Sequence, residues 1–449
     1  MFKGKRVLVF GAGVSGIGAA KTLLKEDAEV AIYDQKKINF KKEDTAYFTS
    51  GNVQIFEDTL PADVCECFDF AVLSPGISIN NPLVQSVIDK GMKVIGEVEL
   101  AYLLYNGKIV GITGTNGKTT TTTLVAEMLK RLTVPSATGG NIGHSLSWLA
   151  ANLGDDSFLT AEVSSFQLES IESFKPRIAA ILNITPDHID RHGDMQGYIA
   201  AKMQIFKNQD EQDYLLLNYD DEIVRGFAEK TKAQVCFFSN KKQLEEGAYV
   251  KDGSIFFCYQ GKETEIVKIS DMKIFGAHNV ENALAACACA YFAGVSFYDI
   301  CEVLKDFEGV EHRIEYTRTV NGVKYYNDSK ATNPESTIKA LEAFSGHILL
   351  LAGGYDKMTD LTELMQLAKK KTDALILLGK AKERFVTEAQ RNGVTNVITA
   401  ESFEEALGKA HELAREPQVV LLSPACASYD MFNNFEERGR YFKELVGKL

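Results

Sequence analysis

The chain has 449 residues, a length that a norm of about 150 residues per domain divides into three. At 45% hydrophobic and 24% charged residues it has the make-up of an ordinary globular protein. A formal net charge of −12 argues against nucleic acid or an anionic membrane as the main partner, while local lysines and amides can still hold anionic small molecules.

Residues 1–6 are charged and run into the apolar stretch 7–10, and no apolar run approaches a membrane-spanning length. Neither a signal peptide nor membrane insertion is expected. The eight cysteines include Cys65-x-Cys67 and Cys287-x-Cys289 but no CxxC pair. Reduced, mostly buried thiols in a cytoplasmic protein are the expectation.

In chain order, the first block opens with a strand over 6–10, a helix over 15–25 and further strands over 29–33 and 70–73. Between strand and helix lies Gly11-Ala12-Gly13-Val14-Ser15-Gly16, and Asp34 follows the second strand. Such glycines let a diphosphate approach backbone amides at a helix N-terminus. The pattern does not separate a nicotinamide cofactor from another nucleotide diphosphate, nor either from a tight turn without ligand.

The second block has strands over 108–112, 158–163, 178–183 and 214–218, an alternating stretch over 248–268 that reads as an antiparallel hairpin, and helices over 279–293 and 297–304. Its first strand runs into Gly114-Thr115-Asn116-Gly117-Lys118-Thr119 and a threonine-rich helix over 120–130. Loop amides would wrap the phosphates of ATP, Lys118 would reach the β/γ oxygens, and the Thr119 hydroxyl would meet magnesium. Glu162 and His188 follow neighbouring strands at the edge where ligands bind; each could also be an ordinary cap or loop residue. Lys202 sits among small and apolar residues; it either snorkels to solvent or, if buried, becomes a neutral amine.

The third block has strands over 347–352, 374–378, 396–399 and 419–423. It carries Glu311-His312-Arg313, the loop Asp328-Ser329-Lys330-Ala331-Thr332-Asn333-Pro334, and Ser423-Pro424-Ala425-Cys426-Ala427-Ser428. The last run of small residues is expected to open a helix and recognise a carboxylate. Unalternating apolar strands separated by helices predict an α/β protein of three domains, 1–97, 98–309 and 310–449, each a mainly parallel sheet flanked by helices. The first is Rossmann-like, the second P-loop-ATPase-like and the third dinucleotide-fold-like.

GTNGKT with Ala161-Glu162-Val163, Asp187-His188-Ile189-Asp190-Arg191-His192 and His278-Asn279-x-x-Asn282 resembles the Mur ligases of peptidoglycan synthesis and their folylpolyglutamate synthase relatives. The loops around Asp328 and Ser428, with Asn434-Phe435-Glu436-Glu437-Arg438-Gly439, are similar to the D-glutamate-adding branch. The resemblance implies an ATP-dependent ligase acting on small molecules through an acyl phosphate, with two magnesium ions and a CO2-derived carbamate on Lys202; a monomer is the expectation, though the sequence itself does not give the oligomeric state. It implies Ser15, Asp34, Gly76, Asn141 and His188 at the UDP-substrate, and Gly114, Thr115, Asn116, Gly117, Lys118, Thr119 and Thr120 at ATP. Asn279, Asn282, Arg313, Asp328 and Lys330 would complete the ATP contacts, and Thr332, Lys357, Ser428 and Phe435 would receive D-glutamate. Thr119, Glu162, His188 and carbamylated Lys202 are the implied metal ligands, and Lys118, His188, Lys202 and Lys330 the implied catalytic set.

Overall fold

The computed structural model describes residues 2–38, 40, 44–45, 47–48, 53–61, 67–356 and 358–449. Its strands form three sheets, each mainly parallel and flanked by helices, as the alternation of apolar strands and helices required.

In the first sheet β1 (Arg6–Phe10), β2 (Glu29–Asp34), β3 (Gln54–Glu57), β4 (Phe70–Leu73) and β5 (Lys93–Gly96) run parallel in the order β3-β2-β1-β4-β5. The chain leaves β1 toward one edge and returns to its other side at β4. The loops after these two strands therefore flank a switch point, where open α/β sheets form a ligand crevice.

The second sheet comprises β6 (Lys108–Thr113), β7 (Ser136–Gly140), β8 (Phe158–Glu162), β9 (Ile178–Ile181), β10 (Tyr214–Asn218), β11 (Gln234–Ser239), β12 (Gly247–Lys251), β13 (Ser254–Tyr259) and β14 (Lys262–Lys268). Their order is β14-β13-β12-β11-β10-β9-β6-β8-β7, so β6 lies between β8 and β9. The stretch expected as one hairpin is three strands: β12 pairs parallel with β11, and β13 and β14 continue antiparallel.

The third sheet comprises β15 (Glu315–Val320), β16 (Val323–Asn327), β17 (Ile348–Gly353), β18 (Thr372–Leu378), β19 (Val397–Thr399) and β20 (Val419–Leu422), in the order β15-β16-β20-β17-β18-β19. Only the β15–β16 pair is antiparallel. β17 is buried along its whole length, and each aliphatic side chain so removed from water contributes about 1.5–3 kcal/mol.

The strands that sequence periodicity passes over have physical reasons for being faint. β3 is a mostly exposed edge strand, β7 reads Ser-Ala-Thr-Gly-Gly, and β15 reads Glu-Tyr-Thr-Arg-Thr-Val on a half-exposed edge.

By contact density the chain divides into two units, Met1–Asp271 with Glu281–Lys305, and Met272–Val280 with Asp306–Leu449. Inside the first unit, two buried carboxylates join the first sheet's last helix, Glu97–Leu104, to the second sheet. Glu99 accepts the backbone N–H groups of Glu172, Ser173 and Phe174 at 2.8–3.0 Å. Glu97 accepts the Ser145 and Ser147 hydroxyls and the Ser147 N–H, and burial holds its carboxyl above the usual range.

Cys236, Cys287, Cys289 and Cys426 are buried free thiols, while Cys67 is exposed and Cys65 lies outside the described residues. No helix among the described residues is long and apolar enough to cross a membrane.

Candidate active site

The loop after β6 is built from local conformational demands. Gly114 and Gly117 have φ of +154° and +84°, left-handed values that a side chain resists. At Gly117 the space is also closed, because a Cβ there would lie 2.2 Å from Asn282 Oδ1. The helix Lys118–Leu129 starts at once, earlier than expected, so Lys118, Thr119 and Thr120 occupy its first turn. The N-terminus of that helix, with the positive end of its dipole, suits a polyphosphate.

Neighbouring strands lock this loop. The Asn116 N–H donates to Asn183 Oδ1 at 2.8 Å, and the Thr115 N–H donates to the Asn183 carbonyl at 2.9 Å. Thr115 Oγ1 lies 3.0 Å from the Tyr198 hydroxyl and accepts the Thr185 N–H at 3.0 Å. Asn282 Oδ1 accepts the Thr121 hydroxyl at 3.3 Å. Asn183 and Tyr198 were not among the expected site residues. Tyr198 stands four residues before Lys202 on one helix, a spacing that puts both on one face.

Lys202 is 1% exposed, so the snorkelling alternative fails. Its ammonium donates to the Gly114 carbonyl at 2.8 Å and lies 4.7 Å from the Tyr198 ring. Burial, then the Lys118 ammonium, hold it well below lysine's ordinary range, against the opposing charges of Asp187 and Glu162. Lys118 donates to the Gly114 and Thr115 carbonyls at 2.9 and 2.8 Å.

Glu162 is 1% exposed at the end of β8 and is neither a cap nor a surface acid. Asn141 Nδ2 donates to its Oε1 at 2.8 Å, while its buried Oε2 has no partner among the described residues. An orphaned carboxylate oxygen near a threonine-rich helix start is a hard-oxygen setting that fits Mg2+. His188 is half exposed in left-handed conformation (φ 51°), with its ring 4.8 Å from that of Phe166. The structure thus gathers Lys118, Lys202, Glu162 and Asn141 around the loop after β6.

At the first sheet's switch point, Asp34 Oδ2 accepts the Ala12 N–H of the glycine turn at 2.8 Å. A cavity of about 190 Å³ opens beside it, lined by Tyr33, Asp34, Gly76, Ser78 and Asn81 among others. Asp34 and Gly76 are brought together there; Ser15, on the helix Val14–Lys25, is not in its lining.

In the second unit the loops after β16, β20 and β17 are neighbours because those strands are adjacent. Arg438 is 1% exposed and joins two of them. Its Nε donates to Ser329 Oγ at 2.9 Å and its Nη2 to the Ser329 carbonyl at 2.8 Å, while both terminal nitrogens reach the Cys426 carbonyl at 3.1 Å. Ser329 Oγ donates onward to the Phe435 carbonyl at 2.8 Å. The Lys330 ammonium lies 5.6 Å from the Phe435 ring.

Asp328 is buried. Its oxygens accept the Ser423 hydroxyl at 2.7 Å and the Ile314 N–H at 3.2 Å, and burial pushes its pKa up to about 7 against Ser423 and the Arg313 charge. Burial, with help from Arg313 and Lys339, pulls His278 down to about 4. Asn279 donates to the Phe275 carbonyl at 2.9 Å. Pro334 is the first residue of a helix, Pro334–Glu342, capped by Asn333, and Thr332 precedes that cap. Ser428 is buried, and Lys357 lies outside the described residues. The small-residue run after β20 does not open a helix as expected. Ala425 turns it into left-handed conformation (φ 58°), and the next helix begins at Phe435.

Glu311, His312 and Glu315 could together hold a cation, but the Lys443 ammonium already joins both carboxylates at 2.6 and 2.9 Å. That trio is an internal ion-pair network.

Comparison with known proteins places the whole chain within one family. The Mur ligase MurD-like N-terminal domain pattern matches residues 5–96, the Mur ligase middle domain 112–290 and the Mur ligase glutamate ligase domain 312–426. A UDP-N-acetylmuramoylalanine–D-glutamate ligase of Thermoanaerobacter sp. (strain X514) is 45% identical over 449 residues, covering 100% of this chain and 99% of the relative. The enzyme of the same name from Caldanaerobacter subterraneus subsp. tengcongensis is 44% identical with the same coverage. Among solved structures, a UDP-N-acetylmuramate-alanine ligase from Thermotoga maritima superposes with a TM-score of 0.62 at 19% identity, covering 99% of both chains. At that identity the likeness speaks for the fold alone.

Proposed function

The chain belongs to the Mur ligase family, and from that premise we propose that it joins D-glutamate to UDP-N-acetylmuramoyl-L-alanine with consumption of ATP, in peptidoglycan precursor synthesis. Identity of 45% along the entire length to ligases named for that reaction is the observation that carries the reading.

The chemistry is a problem of like charges. The alanyl carboxylate attacks the γ-phosphorus of ATP, ADP leaves, and an acyl phosphate remains. The D-glutamate amine then attacks the acyl carbon, loses a proton and expels phosphate, leaving the amide. Two bound Mg2+ ions would supply charge neutralisation for the transferring phosphoryl group. We assign them to Thr119 and Glu162, and to His188 with Lys202 as its carbamate. The orphaned Glu162 oxygen and the buried, easily deprotonated Lys202 support this, because a neutral amine captures CO2 where an ammonium cannot.

Lys118, which donates to two loop carbonyls, is assigned to the β/γ oxygens, and Gly114, Thr115, Asn116, Gly117 and Thr120 are assigned to the phosphates. Asn279, Asn282, Arg313, Asp328 and Lys330 are assigned to ATP as well, Asp328 through Ile314 and Ser423 since both its oxygens are engaged. Ser15, Asp34, Gly76, Asn141 and His188 are assigned to the nucleotide sugar, a reading supported by the cavity that Asp34 and Gly76 share. Thr332, Lys357, Ser428 and Phe435 are assigned to D-glutamate. The domain limits 1–97, 98–309 and 310–449 each enclose one sheet. A cytoplasmic monomer completes the proposal, with sedimentation as the check on its mass.

The test is phosphate release with ATP, UDP-N-acetylmuramoyl-L-alanine and a panel of amino acids. D-glutamate should support turnover; turnover with L-lysine or diaminopimelate and none with D-glutamate would overturn the assignment.

A further inference from the structure

His188 sits at the start of a single helical turn, Ile189–His192, that ends at Gly193 with φ 82°. Four residues of helix have almost no stability of their own, so something tertiary must hold the turn. That something is Arg191. Its Nη1 donates to the Pro75 carbonyl at 3.1 Å, its Nη2 pairs with Glu169 Oε2 at 2.8 Å, and the guanidinium lies 3.8 Å from the Phe166 ring centroid.

Each partner leads back to a functional element. Pro75 precedes Gly76, which lines the cavity at the first sheet's switch point. Phe166 packs against the His188 ring at 4.8 Å. Glu169 also meets His192 Nδ1 at 3.3 Å, and His192 Nε2 lies 3.0 Å from Ser165 Oγ. Pro75 and His188 therefore belong to loops of two different sheets, and one guanidinium spans them.

We infer that Arg191 is a positioning residue that couples the nucleotide-sugar cavity to the placement of His188, through the Pro75 carbonyl on one side and the Phe166–Glu169 segment on the other. This rests on the assignment of that cavity to the UDP-substrate. Arginine is required because only a planar fork can donate in two directions while stacking on a ring; lysine keeps the charge and loses the span.

The experiment compares the parent protein with Arg191→Lys and the milder Glu169→Gln. Turnover with UDP-N-acetylmuramoyl-L-alanine and D-glutamate is measured alongside calorimetric binding of UDP and of ATP. In Arg191→Lys, kcat should fall by about 100-fold, as misplacement of a reacting group by about 1 Å does. KM for the nucleotide sugar should rise, UDP affinity should fall, and ATP affinity should stay within twofold. Glu169→Gln should shift the same quantities in the same direction by less. Loss of ATP affinity in step with kcat, or kcat and KM both within twofold of the parent, would overturn the inference. Should D-glutamate prove the wrong co-substrate, the UDP and ATP affinities still decide this point: weaker UDP with unchanged ATP supports it, and unchanged UDP sinks it.

Discussion

The ammonium groups of Lys118 and Lys202 donate to one oxygen, the carbonyl of Gly114, at 2.9 and 2.8 Å. Two cations held this close cannot both keep their protons cheaply. Lys118 is partly exposed and Lys202 is buried, so Lys202 is the one that yields.

Lys202→Met should therefore abolish turnover without unfolding the protein. The parent, given 13C-bicarbonate, should show a carbamate resonance that the variant lacks. A lysine held below its ordinary range costs stability as pH falls, since the unfolded chain binds the proton that the folded one resists. In CO2-depleted buffer, where the Lys202 amine is free, the stability advantage of Lys202→Met over the parent should thus widen from alkaline toward neutral pH in denaturant titrations, and a constant gap would contradict this.

Gly117→Ala tests the loop. At φ 84° a Cβ costs about 1–2 kcal/mol, and here it would also strike the Asn282 carboxamide. ATP affinity measured by calorimetry should drop by about tenfold or more, about 1.4 kcal/mol, while UDP binding at the first-sheet cavity, whose lining does not include Gly117, should be unchanged.

Asp328 should show itself in pH dependence. Its carboxyl is raised from 3.8 to about 7 in the folded protein, so its favourable contribution is complete below the unfolded value and is lost as pH rises toward 7. Asp328→Asn keeps an acceptor for Ile314 but does not titrate. Relative to that variant, the parent should lose stability between about pH 4 and 7 and then level off, as read from urea midpoints at successive pH values.

Arg438→Met should cost about 2–4 kcal/mol, because it strands the buried Ser329 and Cys426 carbonyls in a site of similar volume. Both loops it joins carry residues assigned to substrates. KM for D-glutamate should therefore rise even at temperatures where circular dichroism reports a folded protein.

Much of this was legible in the linear chain. Buried parallel strands betray themselves as unbroken apolar runs, and a glycine-rich turn between strand and helix announces a phosphate site because few other residues can adopt its backbone. The sequence alone therefore determined the α/β class, the loop from Gly114 to Thr119 and the family resemblance. It could not reveal β7 or β15, whose residues lack the apolar signal because they lie at sheet edges. Nor could it decide Lys202, where snorkelling and burial are compatible with the same neighbours. Only the packing of its helix beneath the loop, with Tyr198 on the same face, settled that the amine is enclosed. Arg191 and Arg438 were unreadable for the same reason: their partners, Pro75 and Cys426 among them, lie on separate loops that meet only when the sheets assemble. Local backbone preference is written in neighbouring residues, whereas a charge takes its meaning from whatever the fold places within a few ångströms of it.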